Sequence, residues 1–156
     1  MAQLKRPSSR QRNSWKRSHR MADKAFKLEI VTPKRIVFSG DVTSFSAPGV
    51  VGGFQVLKSH APLLSNIAVG EVKLVDGSGQ ELRYATSGGF VEVLENKVMM
   101  LAETAERSDE IDVARAEAAR ERARKRLAEK RADTDLDRAR LALFRAMNRL
   151  KVADQL

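Results

Sequence analysis

The chain changes character once, at Thr104. Before it, glycine and proline punctuate short β-rich runs; after it neither residue occurs, and Ala, Arg, Glu and Leu dominate to residue 156. A stretch without helix breakers and rich in strong helix formers reads as helix, whereas short runs between turn residues read as strands. With 156 residues the chain has room for one domain of ordinary size, or a small one carrying an appendage. The expected division is an extension at 1–23, a β domain at 24–104 and a helical segment at 105–156.

Within the β region, Phe26, Leu28 and Ile30 alternate with Lys27 and Glu29, the period-2 mark of a half-buried strand, and Thr32-Pro33 ends the run. Further runs are Ile36 to Phe38, Val42 to Ser46, Phe54 to Leu57, Leu63 to Ala68, Glu71 to Val75, Glu81 to Thr86, Phe90 to Leu94 and Val98 to Ala102. Turn residues lie between them at Ser39-Gly40-Asp41, Ala47-Pro48-Gly49, Val69-Gly70, Asp76-Gly77-Ser78-Gly79, Ser87-Gly88-Gly89 and Glu95-Asn96. Nine or ten short strands with no helical period among them predict a β-sandwich or barrel.

In the helical region Ser108 is the expected N-cap, with Asp109, Glu110 and Asp112 in a first turn that favours acids, and Lys130 and Arg131 close the last turn. Asp133-Thr134-Asp135 then caps a second helix, on which Leu136, Ala139, Leu143, Ala146, Met147 and Leu150 fall at helical spacing. Ala116, Ala119, Ala123 and Leu127 form the facing stripe. Small side chains let two antiparallel helices approach but bury little area, at about 0.8 kcal/mol per methylene, so a weakly held hairpin is expected.

The net charge of +9 is concentrated in one place. Residues 1–20 carry seven basic groups and no acid, giving +7; residues 21–107 come to −1 and residues 108–156 to +3. The first segment is too polar to offset the entropy of ordering it, and disorder is expected. It suits a nucleic-acid or anionic-lipid arm, an organelle transit peptide, or an extension upstream of a start at Met21; the last is favoured because the first strand follows Met21 closely. A near-neutral β region with only 5% aromatics overall argues against single-strand nucleic-acid binding, which needs stacking platforms.

Catalytic chemistry finds little support. The chain has no cysteine, which removes thiolate metal sites and cysteine nucleophiles. His60 is the only histidine beyond residue 20, so neither a histidine metal cluster nor an acyl-transfer triad can be assembled. Ser87-Gly88-Gly89 lacks a Walker lysine and lies between two strands, where tight backbone approach accounts for the glycines. No catalytic or metal-binding residue is expected, and no apolar run approaches the ~18 residues of a membrane span.

Three ordered segments carry a resemblance: Gly52-Gly53-Phe54-Gln55-Val56-Leu57 running into His60-Ala61-Pro62-Leu63-Leu64, then Ser87-Gly88-Gly89-Phe90-Val91-Glu92-Val93, then Ile111-Asp112-Val113-Ala114-Arg115-Ala116. Together they resemble the epsilon subunit of the F-type ATP synthase over about residues 24–153. The chain departs from that pattern at Lys58-Ser59, where many members have Pro-Gly, and at Gly53, where several have glutamate.

The resemblance implies an N-terminal β-sandwich of nine or ten short strands followed by a C-terminal antiparallel two-helix hairpin. It implies a non-catalytic central-stalk subunit, turning with the rotor and coupling proton flow to ATP synthesis, whose helices restrain ATP hydrolysis. Its implied partners are the gamma subunit and the c-subunit ring, with alpha and beta subunits in the inhibited state, and its implied place is the cytoplasmic face of the bacterial inner membrane, peripheral to it, with an organelle inner membrane as the alternative. Phe54, His60, Arg122, Arg124, Lys125 and Arg126 are the candidate partner contacts. Glu106, Ile111, Asp112, Arg115 and Ala116, with Arg145 and Arg149 from the second helix, match the family's nucleotide motif; no cofactor is required, and ATP is a candidate regulatory ligand. Arg145 and Arg149, four apart, share a helix face, and guanidinium forks suit phosphate oxygens. Read without the resemblance, Asp112 and Arg115 are an ordinary pair near a helix start, and the arginine run of the first helix is a solvated face.

Overall fold

A computed structural model describes residues 24–129 and 131–154. The basic segment 1–23, with the expectations placed on it, lies outside the described residues.

The first strand behaves as its alternation dictates. β1 (Phe26–Val31) buries Phe26, Leu28 and Ile30 and turns Lys27 outward. It pairs antiparallel with the start of β2 (Ile36–Gly49), Phe26 opposite Val42, and parallel with β8 (Lys97–Ala102), Leu28 opposite Val98. β8 continues antiparallel to β7 (Gly89–Leu94), and β7 to β4 (Leu63–Ile67). These strands make one layer.

The second layer grows from the other end of β2. There β2 pairs with β3 (Gly52–Val56) and with β5 (Gly70–Asp76), β5 with β6 (Glu81–Thr86), and β6 with β9 (Ala105–Arg107), all antiparallel. A register shift between Val42 and Ser44 bends β2 where it passes from one layer to the other, the usual function of a bulge at the corner of a sandwich. Phe45, Leu28, Ile30, Leu74 and Met100 lie fully buried between the layers with Val42, Val56, Val72, Val91 and Val98. Each such side chain contributes roughly 1.5–3 kcal/mol of burial.

Two expected turns are therefore strand. Gly40 and Asp41 continue β2 opposite Leu28 and Lys27, with Asp41 Oδ1 3.0 Å from Lys27 Nζ, and Pro48 stands opposite Gly53 near the end of the same strand. Pairing on both sides outweighs the local turn preference. Conversely β9, inside the segment expected to be helical from residue 105, is strand because its partner β6 lies beside it. Leu94 pairs with Lys97 around Glu95 and Asn96, whose φ values of 48° and 59° make the two-residue type I′ turn that matches strand twist.

After β9 a single 3₁₀ turn, Ser108–Glu110, precedes the first helix, α1 (Val113–Glu129). The cap is Asp112 rather than Ser108: its Oδ1 accepts the Arg115 backbone N–H at 2.9 Å, and the acids at 109 and 110 fall before the helix. α2 (Leu136–Ala153) begins at Asp135, which accepts the Arg138 N–H at 3.0 Å, inside the expected capping segment. The hairpin seam is small-residue packing as the spacing implies, with Ala116 and Ala123 buried on α1 and Ala139, Ala146 and Leu150 on α2. Met147, placed on the seam by spacing, is instead exposed.

Candidate functional site

The hairpin meets the sandwich at one edge, the end of the β5–β6–β9 layer. Val152, fully buried near the end of α2, packs with Ala85 of β6 and with Ile111 in the linker. Around this small apolar plug the polar contacts are specific. Arg149 donates to Glu106 Oε1 on β9 from Nε at 2.9 Å and from Nη2 at 2.7 Å. One helical turn earlier Arg145 Nη2 reaches Glu103 Oε2 at 3.0 Å, while Arg145 Nε is buried with no hydrogen-bond partner. Between the two arginines, Asn148 Nδ2 donates to the carbonyl of Gly70 at 2.8 Å and lies 3.4 Å from that of Thr86.

The linker itself is pinned. Arg35 Nη2, beside the β1–β2 turn, holds Glu110 Oε2 at 2.8 Å, and Arg107 Nη2 holds Asp109 Oδ2 at 2.6 Å. Next to these charges burial raises the Tyr84 hydroxyl above the ordinary tyrosine pKa; the nearby Arg107 opposes that shift, and Glu110 and Asp109 add to it.

Of the residues matching the nucleotide motif, the fold brings Glu106 and Arg149 into direct contact and sets Ile111 against the same α2 segment. Arg145 shares their face but pairs with Glu103. Asp112, Arg115 and Ala116 form the first turn of α1: the Asp112 carboxylate caps the backbone rather than pairing with the Arg115 side chain, Arg115 is exposed, and Ala116 is buried in the seam. Glu103 and Asn148 were not foreseen. An asparagine inside a helix of Ala, Leu and Arg, flanked by two singled-out arginines, was the available signal for Asn148; Glu103 had none.

The candidate partner contacts are dispersed. Phe54 packs half-buried against the core from β3 and borders a shallow concavity of about 440 Å³ with Pro48, Gln55 and Lys73. His60 sits in the β3–β4 connection, its Nδ1 2.7 Å from the Ala61 carbonyl. This loop is tied to the β7–β8 turn by Asn96 Oδ1, which accepts the Ser59 N–H at 2.6 Å. Arg122, Arg124, Lys125 and Arg126 project from the exposed face of α1, where Arg124 meets Glu121 and Lys125 meets Glu129. Among the described residues no group of His, Asp and Glu is arranged to hold a metal ion, and no helix is long and apolar enough to cross a membrane.

A β-sandwich followed by a long helical segment is the two-part architecture of the delta/epsilon chains of ATP synthases. The β-sandwich domain of the ATP synthase delta/epsilon chain matches residues 25–108, and the long α-helix domain of the same chain matches residues 109–154. The chain belongs to this family, on its epsilon side. It is 53% identical over 135 residues to the ATP synthase epsilon chain of Pelotomaculum thermopropionicum, covering 86% of this chain and 100% of that one. The epsilon chain of Syntrophobacter fumaroxidans is 51% identical over 136 residues, covering 86% and 99%, and that of Desulforamulus reducens 44% over 131 residues, covering 84% and 98%. The fold recurs in a chain from the Euglena gracilis mitochondrial ATP synthase (OSCP/F1/c-ring), with a TM-score of 0.70 at 20% identity, over 85% of this chain and 82% of that one.

Proposed function

We propose that this chain is a non-catalytic coupling and regulatory subunit of the central stalk of an F-type ATP synthase. The sandwich docks on the gamma subunit and the c-subunit ring, peripheral to the cytoplasmic face of a bacterial inner membrane, and turns with them as protons drive ATP synthesis. The hairpin restrains ATP hydrolysis when it leaves the sandwich and meets the alpha and beta subunits, to which the exposed basic face of α1 presents Arg122, Arg124, Lys125 and Arg126.

One observation carries the regulatory part of this reading. The hairpin is attached to the sheet chiefly through α2, by two half-exposed ion pairs, one amide and the Val152 plug; α1 makes no substantial contact with the sheet. Exposed ion pairs are worth about 0.2–1 kcal/mol each. An attachment of this size can be exchanged for contacts elsewhere, as a two-state element requires.

ATP fits the same face as a regulatory ligand. Arg145 and Arg149 supply guanidinium donors to phosphate oxygens, and Arg145 Nε is already unpartnered. A ligand that binds only the docked form stabilises it by RT ln(1 + [L]/Kd), about 2.7 kcal/mol at a hundredfold excess over Kd, and so opposes inhibition. Deleting residues 108–156 tests the inhibitory role: ATP hydrolysis by the assembled enzyme should rise while synthesis is spared, and unchanged hydrolysis would remove that role from this protein.

A further inference from the structure

Arginine pairs can hold α2 to the sheet, but they define its position poorly. Their side chains are long, and charge attraction persists over a range of geometries. Asn148 differs on both counts. It is short, its amide donors are directional, and its two acceptors are fixed backbone: Gly70 and Thr86 are opposite residues at the end of the β5–β6 ladder. At 3.6 residues per turn, residues 145, 148, 149 and 152 lie on one face of α2. The rotation and height at which the Asn148 amide meets these carbonyls also set Arg145 against Glu103, Arg149 against Glu106, and Val152 against Ala85 and Ile111.

We propose that Asn148 is the positioning residue of the docked hairpin: it reads the backbone at the end of the β5–β6 ladder and holds α2 in register, so that Arg145 and Arg149 are presented as a pair. Docking then has two components with different physics. Ion pairs are screened by salt, with a Debye length of about 3 Å at 1 M; an amide–carbonyl contact between neutral groups is not. The amide holds the hairpin when the charges are screened.

The inference rests on the two-state hairpin proposed above, but its test needs only the isolated full-length subunit. Because the chain has no cysteine, substitutions Glu92→Cys on β7 and Ala132→Cys at the hairpin tip provide the only labelling sites for a spin-label distance measurement. The unsubstituted background should remain docked at low salt and at about 1 M salt. Asn148→Leu should stay largely docked at low salt, where the ion pairs still act, and show a docked-to-undocked ratio about tenfold below the background at high salt, where the amide contacts are absent and the charges are screened. The double change Arg145→Gln with Arg149→Gln should show the converse, a looser hairpin at low salt that salt barely affects. Leucine is a better helix former than asparagine, so helicity should be retained, and Asn148→Ala gives a second variant with the same expectation. Equal docking of Asn148→Leu, Asn148→Ala and the background at high salt would overturn the proposal, as would undocking of the background by salt alone. Loss of the inhibitory role would show instead as unchanged hydrolysis on hairpin deletion, with these distances unaffected.

Discussion

Arg149 places two donors, Nε and Nη2, on the single Oε1 of Glu106, joining α2 to β9 across 43 residues of sequence. The contact is half-exposed, with the arginine side chain at 25% and the glutamate at 37%. Its strength is therefore that of a solvated pair with good geometry, about 1 kcal/mol. A phosphate recruited by Arg149 competes with this carboxylate for the same donors.

For that reason Arg149→Ala should weaken ATP binding by roughly tenfold to a hundredfold, the ~1.5–3 kcal/mol of a lost charge-assisted contact. Calorimetric titration of the isolated subunit measures it. No heat and no thermal shift at millimolar ATP would leave Arg145 and Arg149 as partners of Glu103 and Glu106 only. Intact binding in Arg149→Ala would move the nucleotide elsewhere.

The sandwich needs its ninth strand. Ala105 is buried in the core, and β9 covers the outer edge of β6 from Tyr84 to Thr86. A fragment of residues 24–110 should fold and melt several degrees above one of residues 24–104, a difference of about 1–2 kcal/mol for a domain of this size. Equal melting midpoints would show that β9 contributes nothing.

Gly89 tolerates no side chain. Its φ is +146°, and a Cβ built on it overlaps the Leu101 carbonyl oxygen and lies 2.9 Å from the Ala102 Cα. The neighbouring atoms are backbone of the paired strand β8, so β7 and β8 would have to separate. Gly89→Ala should cost about 4 kcal/mol or more, into the range that marks a specific structural failure. Denaturant unfolding within 1 kcal/mol of the parent, by linear extrapolation, would contradict this.

Two ionisations contribute to the pH dependence of stability. Asp76 accepts the Ser78 hydroxyl, the Gln80 N–H and the Ser78 N–H in the β5–β6 turn, and these bonds, led by the hydroxyl, lower its carboxyl pKa from 3.8. Its contribution is present above the unfolded value and lost as pH falls through the lower folded one; Asp76→Ala should therefore flatten the acid side of the stability profile. Tyr84 has the opposite sign. Burial raises its pKa from 10.0, so its contribution is complete below that value and lost as pH rises through the folded one. As the only tyrosine, it can be followed by absorbance, and ionisation at the free-tyrosine value in the folded protein would refute the assignment.

Much of the fold was written in local pattern. The alternation of Phe26, Leu28 and Ile30, the turn at Glu95-Asn96 and the alanine stripes all act over a few residues, where side-chain period and backbone preference decide. The sequence was silent where a distant partner decides. Gly40-Asp41 and Pro48-Gly49 have turn chemistry, yet strands on both sides of β2 hold them extended. Ala105-Glu106-Arg107 has no β-forming residue and is strand only because β6 lies beside it. The site followed the same rule. Spacing placed Arg145 and Arg149 on one face; that Glu103, Glu106 and two sheet carbonyls lie opposite comes from tertiary folding alone.

The parallel pairing of β1 with β8 joins Lys27 to Lys97, and β2 is shared by both layers. Neither layer can be completed early during synthesis: β1 waits for β8, seventy positions later, and β6 waits for β9 at residues 105–107. Such non-local closure is slow compared with a helical hairpin, whose contacts are near neighbours. The helical hairpin, which follows the sandwich in the chain, can thus take shape while the surface that receives it is still closing, so that docking waits on the sandwich rather than on the helices.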